Sequence, residues 1–189
     1  LVRTGAMYHD IGKMKNPIFF IENQTSGYNP HDGLAPEESA RIIIEHVTYG
    51  IELAHKMNLP ESIIDFIRSH HATSKVFYFY SQYKDLHPDA KEEDIAPLFT
   101  YPGFNPKTKE MALVMIADAS EAASRRLKQI TPDAISELID KIVGNQLLRG
   151  LFKDADITMQ EITAVQDVIK LYPRHILRSR LSILCGARP

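Results

Sequence analysis

In at least six segments of this 189-residue chain, apolar residues return every third or fourth position, and no two stretches pair as alternating strands. Ile43, Val47, Ile51 and Ala54 mark one such segment, which Pro36 opens and which Asn58 and Pro60 stop near Met57. Ile63, Ile64 and Ile67 mark the next, from Glu61 to about Ala72. Asn105-Pro106 has the chemistry of a helix start, and Met111, Ala112, Met115, Ala119 and Ala122 carry that helix to about Leu127. Thr131-Pro132 begins another to about Leu148, and Thr158-Met159-Gln160-Glu161 is a capping box opening a further one to about Leu171. The pattern predicts an all-α fold. At 44% hydrophobic composition, residues 1–189 suit one domain with a substantial core.

Between these segments the sequence sets breaks. The opening stretch to Ile11 is expected to end a helix, with Gly12 in the left-handed position after it and Lys13 near the negative end of the dipole. Pro17, Gly27, Pro30 and Gly33 make residues 14–35 a long ordered loop after that first helix. The aromatic run from Val76 to Tyr83 is expected to form a short helix. Asp85 to Asn105, with Pro88, Pro97, Pro102 and Gly103, is expected to be an irregular insertion before the Asp118 helix, with an exposed Lys91–Asp94 patch and the makings of a flap. A basic tail follows around Arg174, Arg178 and Arg180.

A formal charge of −2 argues against a general nucleic-acid binder, so phosphate recognition has to be local. The single Cys185 cannot form an internal disulfide, and neither a signal peptide nor a long uninterrupted apolar span is visible, which fits a reducing, cytoplasmic setting. Leu1 already lies within an apolar pattern, and the chain is expected to be a piece of something longer.

Chemistry concentrates at Tyr8-His9-Asp10-Ile11-Gly12-Lys13. One His-Asp dipeptide carries little weight, because His31-Asp32 repeats it between two prolines, where turn chemistry and loop hydrogen bonds explain it. His9-Asp10 gains weight from its company. His70-His71 is a second adjacent pair at the end of an apolar helix, and His46 lies inside another. Asp118, flanked by Met115, Ile116, Ala117 and Ala119, is costly to bury without a cation, which a metal or an arginine such as Arg125 or Arg126 supplies. These are nitrogen and oxygen ligands without thiolate. His55, His87 and His175 are expected at the surface. Two divalent ions held by such a set would activate water and neutralise phosphate charge, and Lys13 is placed to meet a phosphate oxygen.

In this order, Tyr8 to Lys13, His46, His70-His71 and Asp118 resemble the HD-domain metal-dependent phosphohydrolases. Asn29-Pro30-His31-Asp32, Ala40 to Gly50, His70-His71-Ala72-Thr73, Thr108-Lys109-Glu110, Ala117-Asp118 and Glu121-Ala122-Ala123 are similar to the cytoplasmic domain of the seven-transmembrane HD family, the PgpH-like cyclic di-AMP phosphodiesterases of bacteria. The resemblance implies an HD-domain helical bundle. Its metal site comprises His9, Asp10 as the bridging carboxylate, His46, His70, His71 and Asp118, and holds two divalent ions, iron or manganese. Asp10 and Lys13 are the implied catalytic residues, with Lys13, Thr73 and Arg125 contacting substrate. Cyclic di-AMP would open to linear pApA under attack by hydroxide activated between the metals. The resemblance also implies attachment to upstream transmembrane and sensor regions of the same chain, at the cytoplasmic face of the bacterial inner membrane. A further ligand histidine of that family falls upstream of Leu1, so the N-terminal part of the domain is expected to be missing and the activity of residues 1–189 to suffer. Cyclic di-GMP enzymes of this type carry Gly-Tyr-Pro after the His pair, where Ala72-Thr73-Ser74 stands here, and this favours adenine over guanine. Two alternatives are a degenerate HD domain that senses a nucleotide without turning it over, and an HD enzyme acting on another nucleotide. The Phe77–Tyr83 aromatics are candidates to stack on an adenine, with packing the commoner use of such a stripe.

Overall fold

Pro36 presets the first turn of a helix, Glu37 and Glu38 complement its positive end, His55 and Lys56 its negative end, and Asn58 at φ 54° stops it. The result is α2, Pro36–Lys56, the central strut of the first half of the molecule. Its inward stripe of Ser39, Ala40, His46, Val47, Gly50 and Ala54 is buried. The computed structural model describes residues 1–24, 27–125, 127, 129 and 131–171, and every regular element among them is helical. Two compact units form, Leu1–Phe104 and Asn105–Pro189.

The first unit holds α1 (Val2–Tyr8), α2, α3 (Glu61–Ser69), α4 (Phe77–Leu86) and α5 (Glu92–Phe99). Residues 9–35 form the expected long loop, tightened by 3-10 turns at Ile11–Lys15, Pro17–Phe19, Ile21–Asn23 and Pro30–Gly33. The Ile11–Lys15 turn, α3, α4 and α5 all lie against α2. Ile64, Ile67 and Ala54 are fully buried, with Ile11, Ile51 and Leu59 covering them, and each isoleucine taken from water contributes about 2 kcal/mol.

Four expectations need correction here. α1 ends at Tyr8 rather than Ile11, and Gly12 is not left-handed; among the described residues the glycines with positive φ are Gly27 and Gly150. Gly12 instead permits close approach, because a Cβ there would lie 1.8 Å from the carbonyl oxygen of His46 and 2.6 Å from the amide nitrogen of Gly50. α3 stops at Ser69, since the chain turns through Ala72 at φ 49° with its amide on the Ser69 carbonyl. The Asp85–Asn105 insertion contains α5. Lys91–Asp94 is exposed as expected, but Ile95 and Phe99, one helical turn apart, are buried at 3% and 0% exposure, so their burial outweighs Pro97 and ties the segment down against α2 and α4. It is not a free flap.

The second unit contains α6 (Lys109–Ser124), α7 (Pro132–Leu148) and α8 (Met159–Leu171). α6 starts later than Asn105-Pro106 suggested, because Thr108 takes the capping role and accepts from the Met111 amide at 3.3 Å, while the Asn105 side chain donates to Asp154. It also ends at Ser124, before Leu127. α7 matches expectation, with Thr131 accepting from the Ala134 amide at 3.2 Å. The capping box of α8 is formed in both directions: Thr158 Oγ1 accepts from the Glu161 amide at 3.1 Å and Glu161 Oε2 from the Thr158 amide at 2.8 Å. Arg126, Arg174, His175, Arg178, Arg180 and Cys185 lie outside the described residues.

Candidate metal centre

Three helices deliver their histidines with one local device. His9 caps the end of α1 and sets Nδ1 2.8 Å from the Ala6 carbonyl; His46, inside α2, sets Nδ1 2.6 Å from the Ile43 carbonyl; His70 caps α3 with Nδ1 2.9 Å from the Ile67 carbonyl. Each reaches the carbonyl three residues back. A carbonyl only accepts, so each Nδ1 carries the proton and each Nε2 presents a lone pair.

Those lone pairs converge. His46 Nε2 and His70 Nε2 are 3.2 Å apart, and they lie 3.5 Å and 3.6 Å from Asp10 Oδ1, a buried oxygen that accepts no hydrogen bond. His9 Nε2 is 3.3 Å from Asp10 Oδ2. Asp10, His46, His70 and His71 each bring a ligand atom within 4.8 Å of all the others. Acceptors gathered this closely need a positive partner, either a proton on an imidazole or a metal ion. Burial works against the proton: it pushes His46 down to about 4, with the neighbouring His70 acting the same way. Burial also raises the Asp10 carboxyl, but a proton shared with it by His70 or His9, together with the Lys13 charge, outweighs this and holds the carboxyl well below the usual range. The donor set therefore fits a divalent ion of borderline hardness, with each imidazole oriented by a backbone carbonyl behind it.

Of the other candidate residues, Lys13 places Nζ 2.6 Å from Asp10 Oδ2 and 2.6 Å from Glu22 Oε1. Burial lowers its pKa, but the two carboxylates overcome this and raise the ammonium above its ordinary value. Thr73 is exposed just beyond the His pair. Asp118 lies half-buried on α6 of the second unit, and Arg125, at the end of that helix, makes a two-pronged pair with Glu121. His31 belongs to the loop scaffold as expected, with Nε2 3.0 Å from the Phe19 carbonyl, while Asn29 donates to Asp32 at 2.8 Å. His55 and His87 are exposed but not solitary: Glu61 lies 3.6 Å from His55, and the Tyr83 ring lies 4.4 Å from that of His87.

Sequence reasoning passed over three residues of this centre. Phe20, 6% exposed, turns its ring against His46 at 5.6 Å. Tyr101, 7% exposed, stacks on His71 with centroids 4.2 Å apart and planes 28° apart. Glu22 holds Lys13 and had one visible signal, being the sole charge between Pro17 and Gln24.

A family model described as HD domain matches residues 1–123. The chain is 44% identical over 169 residues to the cyclic-di-AMP phosphodiesterase PgpH of Listeria monocytogenes, covering 89% of this chain and 23% of that protein. It is 37% identical over 181 residues to the Bacillus subtilis protein of the same name, covering 96% of this chain and 25% of that one. The chain thus spans about a quarter of the length of these curated relatives. Among solved structures, the PgpH HD domain of L. monocytogenes in complex with cyclic-di-AMP superposes with a TM-score of 0.86 at 42% identity, over 93% of this chain and 80% of that one. The same domain in a second crystal structure gives 0.83 at 41% identity, over 93% and 81%.

Proposed function

Since the chain belongs to the HD-domain family, we propose that it is a metal-dependent phosphodiesterase that hydrolyses cyclic di-AMP to linear pApA. The observation that supports this most is the meeting of Asp10 Oδ1 with the Nε2 lone pairs of His46 and His70. Identity to relatives named for this activity supports the substrate. A single HD domain over residues 1–189 is part of the reading, supported by a family match that continues past Phe104 to residue 123.

His9, Asp10, His46, His70 and His71 hold the metal, with Asp10 offering one oxygen toward His46 and His70 and the other toward His9. Asp118 and Arg125 enter on the sequence resemblance, as ligand and substrate contact. Two divalent ions, iron or manganese, supply charge neutralisation and an activated water when bound. Lys13, kept protonated by its two carboxylates, presents a compact charge to a phosphate oxygen, and Thr73 offers a hydroxyl beside the His pair. The carbonyls of Ala6, Ile43 and Ile67 keep the imidazoles from rotating away. Membrane attachment at the cytoplasmic face belongs to the same proposal and rests on the resemblance; no described helix is long and apolar enough to cross a membrane.

The test is turnover of cyclic di-AMP with manganese or iron supplied, followed by separation of products. Linear pApA is expected, and Asp10→Ala is expected to reduce turnover by at least about 100-fold. Tight binding without turnover, hydrolysis of nucleoside phosphates alone, or an active Asp10→Ala variant would each refute the assignment.

A further inference from the structure

One ammonium shared by two carboxylates sits at the edge of the candidate centre. Lys13 Nζ is equidistant, at 2.6 Å, from Asp10 Oδ2 and Glu22 Oε1, and it lies 5.1 Å from the Phe20 ring centroid. Asp10 is the carboxylate proposed to bind metal, so Lys13 competes with a metal ion for the same oxygen. Glu22 meets the centre through Lys13. Its carboxylate is held on the 3-10 turn Ile21–Asn23, whose surroundings are tied down by the Asn23 side chain on the Pro17 carbonyl at 3.0 Å, the Gln24 side chain on the Ile18 carbonyl at 3.2 Å, and the buried Phe20 between them. The loop fixes where Glu22 stands, and Glu22 fixes where Lys13 stands.

We propose that Glu22 is a positioning residue that gives the Lys13 ammonium a second anionic partner and thereby sets how tightly Asp10 binds a divalent ion. The inference rests on the metal-site reading above and extends it to a residue outside the ligand set. A cation shared between two anions is held less firmly by each than by one alone, so Glu22 lowers the cost of displacing Lys13 from Oδ2. Neutralising Glu22 removes the second carboxylate that would hold Lys13 once it leaves Oδ2, and an incoming ion then meets a rival that is harder to displace. A generic effect, from one fewer negative charge near the site or from a loosened loop, would not require Lys13 at all.

A double-mutant cycle separates these accounts. Manganese affinity of the full chain is measured by titration against a competing chelator for the unaltered protein, Glu22→Gln, Lys13→Met and the double variant, with thermal midpoints recorded alongside. Glu22→Gln is expected to weaken manganese binding about tenfold, as loss of an outer partner of a metal ligand does. In the Lys13→Met background the same change is expected to alter affinity by less than about twofold. Equal losses in both backgrounds, or no loss in the first, would overturn the proposal. Glu22→Asp, which keeps the charge on a shorter arm, is expected to fall between, and a loss as large as that of Glu22→Gln would count against it. A protein that takes up no manganese overturns both this inference and the metal-site reading. One that takes up manganese but leaves cyclic di-AMP intact overturns the substrate assignment, while the cycle still decides the role of Glu22.

Discussion

Replacing Gly12 by alanine should dismantle the metal centre without touching a ligand. The added Cβ would sit 1.8 Å from the His46 carbonyl oxygen and 2.6 Å from the Gly50 amide nitrogen, both backbone atoms that cannot rotate aside. Ordinary contact begins near 3.4 Å, so the Ile11–Lys15 turn must retreat from α2 by about 1.6 Å. Asp10 immediately precedes that turn, and its Oδ1 is now 3.5 Å from His46 Nε2. An ion making bonds of about 2.1 Å bridges ligand atoms at most about 4.2 Å apart; the retreat stretches the pair to about 5 Å, beyond that limit. Metal affinity should therefore fall by two orders of magnitude or more, and overpacking should cost about 2–3 kcal/mol of stability. Metal titration and urea denaturation measure the two effects. Gly144→Ala on α7 is the matched control, since a methyl group added there would meet nothing within 4 Å, and it should gain about 0.5–1 kcal/mol from helix propensity. A Gly12→Ala protein with native metal affinity and native stability would refute the close-approach account.

Acidification tests the buried imidazole. Burial, reinforced by His70, lowers His46 from 6.5 to about 4, so between those values the unfolded chain binds the extra proton and the folded chain does not. Stability should thus be fully present above pH 6.5 and be lost as the pH falls toward 4, by about 3 kcal/mol. Urea unfolding in the presence of chelator measures this, and a flat profile that His46→Gln leaves unchanged would contradict it. Stacking on His71 supplies the other test: Tyr101→Leu should weaken metal binding about three- to tenfold, while Tyr101→Phe, which keeps the ring face, should stay near the native affinity. Equal losses in the two variants would show that the ring face is not what matters.

Much of the helix inventory was legible because local chemistry and tertiary demand agree. Pro36, Asn58, Thr131 and the Thr158–Glu161 box act where the sequence places them. α5 was not legible, because Pro97 argues against a helix and only the joint burial of Ile95 and Phe99 overrides it. Gly12 was noticed for the wrong reason: a glycine required for positive φ and one required for space look identical in sequence. At the candidate metal centre, adjacency exposed His9-Asp10 and His70-His71, while Glu22 and Tyr101 stayed hidden because the path of a loop brings them in. Neither belongs to a periodic pattern. Arg125, a cation one can name in sequence, pairs in the structure with Glu121, one helical turn away.

The caps of α1 carry one more consequence. His9 closes a helix of seven residues and Asp10 follows directly, so the whole ligand pair hangs from the end of a short lever. No further residue stands between the His9 cap and Asp10, so where that short helix packs sets where the carboxylate stands.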